Sequence, residues 1–110
     1  MGSKAILGEF EHVVLATVLS LGDDAYGAEL IREIKRRTGR SVTSGSLYVT
    51  LDRLEDKGMI RSRMGDPDSR RGGRPKRFAT PTPEGMRALR EVRATMLSLW
   101  SGIEDELEGV

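Results

Sequence analysis

The chain has 110 residues, of which 32% are charged and 37% hydrophobic, with 18 Lys and Arg against 17 Asp and Glu and no cysteine. At this length one domain buries only about two thirds of its unfolded surface. The composition excludes a disordered tail and a membrane-embedded protein, and the lack of cysteine excludes disulfide frameworks, thiolate nucleophiles and cysteine-ligated zinc.

The first residues, MGSKAILGEF, contain no long apolar run after their lysine. Neither a signal peptide nor a spanning segment is expected there, and the chain is expected in the cytoplasm with no membrane partner. A first helix is predicted from Glu9 to Leu21, where Phe10, Val13, Val14, Ala16, Val18, Leu19 and Leu21 cover most of the surface and imply burial on more than one side. LGDD breaks it. Asp24 is expected to cap a second helix whose apolar positions Gly27, Leu30, Ile31 and Ile34 follow i, i+3, i+4, i+7. Gly39 ends that helix, and Lys35, Arg36 and Arg37 in its last turn suit the helix dipole.

The third helix lies in TSGSLYVTLDRLEDKG, residues 43–58, capped by Thr43 or Ser44 and closed at DKG. Leu47, Leu51 and Leu54 fall within about 60° of one another on a helical wheel. Gly45, Ser46, Val49, Asp52 and Arg53 point the other way. One side anchors and the other is offered to a partner. MIRSRM then alternates apolar and basic residues, GDPDSRRGGRP is rich in turn formers, and KRFAT resumes extended character, which together predict a hairpin with a long basic tip. Between Arg61 and Arg77 seven basic residues face only Asp66 and Asp68, a local +5 within a chain whose net charge is +1. Such segregation marks a local polyanion site.

The last helix opens with Thr82 as N-cap and Pro83 at its first position, and is expected to run to about Glu108. Met86, Leu89, Val92 or Arg93, Met96, Trp100, Ile103 and Leu107 recur at an average spacing of about 3.5, a stripe that needs a partner helix. The expected partner is a second copy of the chain. The order helix, helix, helix, hairpin, helix is that of a mainly α (α+β) winged helix-turn-helix, residues 1–81, followed by a dimerisation helix, residues 82–110.

In that arrangement the third helix enters the major groove of duplex DNA by its first turns. Thr43, Ser44, Gly45 and Ser46 are small enough to let the backbone approach base edges, and the exposed N–H groups there favour a phosphate. Tyr48 is placed to reach a phosphate or base, Val49 a thymine methyl, and Arg53 the DNA backbone. Arg70, Arg71 and Arg74, around Gly72 and Gly73, suit the minor groove. The plainer readings are a surface helix with ordinary capping serines, a solvated charge run, or, from RRGGR alone, an RNA-binding arginine-glycine element. No GxGxxG, P-loop, HExxH or GxSxG occurs, so neither an enzyme nor a cofactor or metal is expected. His12, the single histidine, has no partner motif and is expected at the surface or an interface.

Three stretches, GEFEHVVLATVLSLGDDAYGAELIREI, GSLYVTLDRLEDKGMIRSR and GGRPKRFATPTPEG, resemble the PadR family of transcriptional regulators over Gly8 to about Leu89, and the chain is similar to its short members with one C-terminal helix. The resemblance implies homodimeric repressors on inverted-repeat operators, released by small aromatic or hydrophobic effectors. It implies that Ser44, Ser46 and Tyr48 match DNA-reading positions and that Lys76 and Arg77 match the wing. FATPTPEG departs from the family, which usually has a second aromatic and a leucine before the Thr-Pro, so looser packing of wing on core is expected. Trp100 resembles a tryptophan that in some short members stacks on planar ligands at the dimer centre, with Phe10, Met96 and Leu97 as the remaining walls of such a site. Packing a dimer core is the other role open to it. A winged-helix protein-interaction module without sequence-specific DNA binding is the alternative function.

Overall fold

The computed structural model describes residues 6–65 and 75–109. Its elements are α1 (Glu9–Leu21), a 3-10 turn (Gly22–Asp24), α2 (Gly27–Thr38), α3 (Ser44–Asp56), β1 (Ile60–Met64), β2 (Arg77–Pro81), α4 (Pro83–Trp100) and α5 (Glu104–Glu108). Helices α1, α2 and α3 enclose a core in which Val14, Leu15, Val18, Leu30, Ile34, Leu47, Leu51 and Leu54 are fully buried. Each such side chain contributes about 1.5–3 kcal/mol of transfer free energy, which holds the three helices together. β1 and β2 pair antiparallel from Ile60 opposite Pro81 to Met64 opposite Arg77, and bury Ile60 and Ala79 against that core. The architecture is a winged helix-turn-helix.

Asp24 does not cap α2. It lies in the 3-10 turn, and the N-cap position is taken by Tyr26, whose side chain makes no capping bond. Extended backbone at this point has a tertiary cause: Ala79 N–H donates to the Ala25 carbonyl at 2.9 Å, and Tyr26 forms a bridge with Phe78. The segment before α2 is thus a short third rung on the free edge of β2. α2 stops at Gly39, which takes φ of 76° and returns its N–H to the Lys35 carbonyl at 2.9 Å.

The chain also ties its beginning to the end of α3. Glu11, almost wholly buried, accepts hydrogen bonds from the Gly8 N–H at 2.6 Å and from Lys57 Nζ at 2.7 Å, and Lys57 donates as well to the Ile6 carbonyl at 2.7 Å. Burial, the largest single influence, pushes the Glu11 carboxyl up. The bonds from Lys57 and Gly8, with the charges of Lys57 and Arg53, outweigh it and hold the group below the ordinary carboxylate range.

Thr82 caps α4 by accepting from the Gly85 N–H at 3.1 Å. Gly85 itself is buried where a Cβ would collide with the Met59 carbonyl, so the helix sits directly on the α3–β1 turn. Ala88 and Leu89 pack on the core. Beyond them the helix leaves the body, and Met96, Leu97, Trp100, Ile103 and Leu107 are 41–64% exposed. The radius of gyration, 16.1 Å, exceeds the roughly 13 Å of a compact chain of this length. The single long helix expected to reach Glu108 is interrupted after Trp100. Ser101 and Gly102 are poor helix formers, and the Ser101 hydroxyl donates to the Ser98 carbonyl at 2.9 Å, which favours a turn before the short α5.

A carboxyl depressed on folding stabilises the fold at pH above its ordinary value, and that contribution disappears as pH falls through its folded value. Glu11→Gln is therefore expected to lower stability at pH 7, with the gap from the parent closing as urea unfolding is repeated down to about pH 3. A gap that is constant with pH would show that the charge of Glu11 contributes nothing.

Candidate nucleic-acid interface

α3 is anchored from one side only. Leu47, Leu51 and Leu54 are fully buried, whereas Ser44, Gly45, Ser46, Tyr48 and Val49 on its first turns are exposed. Thr43 is the N-cap: its Oγ1 accepts from the Ser46 N–H at 3.1 Å and donates to Ser46 Oγ at 3.0 Å. Nothing lies within 4 Å of a Cβ built on Gly45. The helix thus starts with a slim, polar and unobstructed tip whose free N–H groups attract negative charge. Arg53 is exposed farther along the same helix.

Tyr48 does not stand clear of the body. Its hydroxyl lies 2.5 Å from where a Gly27 Cβ would be, so the absence of a side chain at the start of α2 makes room for the ring. Tyr48, Ser44 and Gly27 share an open cleft of about 480 Å³ with Arg32. The two helices of the motif are in register through this contact.

In the wing, Arg70, Arg71 and Arg74 lie outside the described residues. Lys76 is exposed, with Nζ 4.5 Å from the Tyr26 ring centroid, and Arg63 lies with its guanidinium carbon 4.5 Å over the Phe78 ring. Tyr26 and Phe78 contact each other at 5.3 Å. Two cations are thereby held over aromatic faces, which limits their rotamers without neutralising them. Arg63 was not singled out from the sequence beyond its share of the local charge. Its signal was the strand alternation in MIRSRM, which puts Arg61 and Arg63 on one face, opposite Thr80 and Phe78.

Arg77, expected to face the duplex, is turned inward, with a side chain only 17% exposed. It donates from Nη1 to Asp52 Oδ1 at 2.8 Å, from Nη2 to Glu55 Oε1 at 2.8 Å and from Nε to Ser62 Oγ at 2.9 Å. Ser62 in turn donates to Glu55 at 2.7 Å, and this bond, followed by that from Arg77, holds the Glu55 carboxyl below its ordinary range. At the turn before α3, Arg40 makes a two-pronged ion pair with Glu9 at 3.0 and 2.9 Å and lies 5.4 Å over the Phe10 ring.

A groove of about 500 Å³ runs between the start of α1 and the middle of α4, lined mainly by apolar atoms of Ile6, Leu7, Ala88, Val92 and Met96, with His12 at its wall. Of the four residues expected around an effector, Met96 lines this groove, Leu97 and Trp100 are exposed farther along α4, and Phe10 lies elsewhere, beneath Arg40. One chain does not gather them into a single cavity. Among the described residues no cluster of His, Cys, Asp and Glu is arranged to hold a metal ion, and no helix is long and apolar enough to cross a membrane.

The family model described as transcriptional regulator PadR-like matches residues 14–91. Over 77 residues, 70% of this chain and 67% of the other, the sequence is 38% identical to Transcriptional regulator Rv3488 of Mycobacterium tuberculosis. The fold is similar to that of a PadR family transcription regulator from Clostridium difficile R20291, with a TM-score of 0.74 and 25% identity, covering 91% of this chain and 99% of that one. A PadR family transcriptional regulator from Eggerthella lenta DSM 2243 gives a TM-score of 0.69 and 29% identity, covering 93% and 88%.

Because the atom facing Gly27 is the far end of a half-exposed ring, Gly27→Ala is expected to swing Tyr48 out of the cleft while changing stability by less than about 1 kcal/mol. Tyrosine ring NMR shifts, read beside a urea titration, check this. A large loss of stability with an unmoved ring would show that the cleft is rigid.

Proposed function

The chain belongs to the PadR-like family of transcriptional regulators, and from that premise we propose that it is a cytoplasmic homodimeric repressor that reads an inverted-repeat operator and is released by a small aromatic or hydrophobic effector. Regulators of this family bind DNA and are not enzymes. The observation that carries the reading is the one-sided anchoring of α3, bare at Ser44, Gly45 and Val49, beside a wing whose Arg63 and Lys76 are held on aromatic faces. Ser44, Ser46 and Tyr48 face the bases or the phosphates flanking them, Val49 a thymine methyl, and Arg53 the backbone. The arginines of the wing tip reach the neighbouring minor groove.

Pairing of two chains through residues 82–110 is supported by the exposed apolar row Met96, Trp100, Ile103 and Leu107, which continues Met86 and Leu89, and by the groove between α1 and α4. Such a seam places two reading helices roughly 34 Å apart, one turn of DNA. Rotation about the seam alters that spacing. An effector lodged against Trp100 from both chains, with Met96 and Leu97 beside it, favours the mismatched state when it binds that state better by about 3–5 kcal/mol. Phe10 contributes to such a site only in the dimer.

Fluorescence anisotropy with a labelled duplex of the chain's own promoter tests the reading. Affinity is expected to exceed that for a scrambled duplex and to fall by roughly 10³ to 10⁵ between 50 and 200 mM salt if 6–10 phosphates are neutralised. Equal affinity for both duplexes would favour a module without sequence-specific binding. Gly45→Leu is expected to leave the circular dichroism spectrum intact and cost on the order of 10- to 100-fold in promoter affinity, the scale of a lost base contact. Trp100→Ala is expected to abolish release by a panel of planar aromatic compounds while promoter binding stays measurable. Unchanged release would place the effector elsewhere, and a monomer in analytical ultracentrifugation would overturn the pairing.

A further inference from the structure

α3 carries its own repulsion toward DNA. Asp52 and Asp56 follow Gly45 and Val49 along the same outward face, and Glu55 lies on the flank shared with Tyr48, so the second half of the helix presents carboxylates where its first half presents small residues. A duplex bears one charge per roughly 1.7 Å of axis, and bare carboxylates at its edge oppose approach. The cation that pairs with Asp52 and Glu55 is Arg77.

We infer that Arg77 is a positioning residue rather than a phosphate contact: it fastens the wing to the reading helix and cancels the Asp52 and Glu55 charges that would otherwise repel the duplex. Three donors of its guanidinium are committed within the chain, to Asp52, Glu55 and Ser62, each at 2.8–2.9 Å. These partners come from both α3 and β1, while Arg77 itself is on β2, so one planar fork joins three elements. A lysine has its three donors on one nitrogen and lacks the planar fork that here spreads them over three nitrogens. Ser62 closes the set by donating to Glu55 while accepting from Arg77. The register puts Arg77 opposite Met64, at the end of the paired strands nearest the basic tip, with Ser62 on the same sheet face. Arg63 and Lys76, two described wing cations without a carboxylate partner, stand on its aromatic row instead. The sheet thus divides its basic residues between holding the wing and offering charge.

This inference rests on the DNA-reading role proposed for α3, so its test has one arm without DNA. In the free protein, Arg77→Gln is expected to speed amide hydrogen exchange in β1 and β2 by tenfold or more, on the order of the loss of a local tertiary tie. Asp52→Asn with Glu55→Gln, which keeps Arg77, is expected to do the same and serves should the first variant not fold. Unchanged exchange in both overturns the lock. In the second arm, Arg77→Gln is expected to lower affinity for the labelled promoter duplex about tenfold at 50 mM salt. Adding Asp52→Asn and Glu55→Gln is expected to restore it to within about threefold, with the slope of log affinity against log salt unchanged. A slope reduced by about 0.9, with no rescue, identifies Arg77 as a direct phosphate contact and overturns the inference. If the parent protein does not distinguish promoter from scrambled duplex, the operator reading fails, while the exchange result still decides the lock.

Discussion

A helix that is to be read from outside must be held from inside, and here that hold is the full burial of Leu47, Leu51 and Leu54 of α3 against α1 and α2. With its apolar side occupied, the helix can keep Ser44, Gly45 and Ser46 at its tip, residues that contribute nothing to packing and little to helix propensity. The cap from Thr43 compensates at the point where the helix would otherwise fray. The buried and the exposed sides of the same thirteen residues, Ser44–Asp56, thus have separate compositions, one apolar and one small and polar.

The same division recurs in the charges. Glu11 and Lys57 form a partly buried pair that ties the start of the chain to the end of α3. Arg77 is spent on the acids of α3, and Arg40 on Glu9. The exposed pairs among these add little to stability. Their importance lies in geometry, because each joins elements distant in sequence and fixes how the reading helix, the turn before it and the wing sit together. Cations without carboxylate partners among the described contacts, such as Arg63 and Lys76, lie on rings, where they keep their charge and lose only freedom.

α4 belongs to two environments. Gly85, pressed on the Met59 carbonyl, with Ala88 and Leu89, makes its first half part of the chain's own core. From Met96 onward the apolar row is bare. A contiguous exposed row of that kind is unfavourable in a lone chain, and the second copy proposed above would cover it.

Much of this was legible from the residues. Periodicity placed α1, the body of α2, α3 and the start of α4 because buried apolar side chains must recur with the helical period; Thr43 and Thr82 announced the starts of α3 and α4, and Gly39 the end of α2, through local hydrogen bonding and a left-handed turn. The bare tip of α3 was visible as a lack of bulk on one face, and the three quoted stretches were enough to suggest the family. What depended on contacts between distant segments was not legible. Asp24 had good capping chemistry, but the bond from Ala79 to Ala25 drew the chain into extended form and moved the start of α2 to Gly27. Arg77 looked like any other cation of the wing, and only the fold brought Asp52, Glu55 and Ser62 to its three donors. That Phe10 lies under Arg40, apart from Trp100 within one chain, was likewise a matter of how α1 packs. Local pattern determines which residues want to be buried, capped or exposed, since those preferences act over a few residues. Which charge meets which is decided by tertiary geometry, since ion pairs and edge bonds are made across gaps that no sequence spacing encodes.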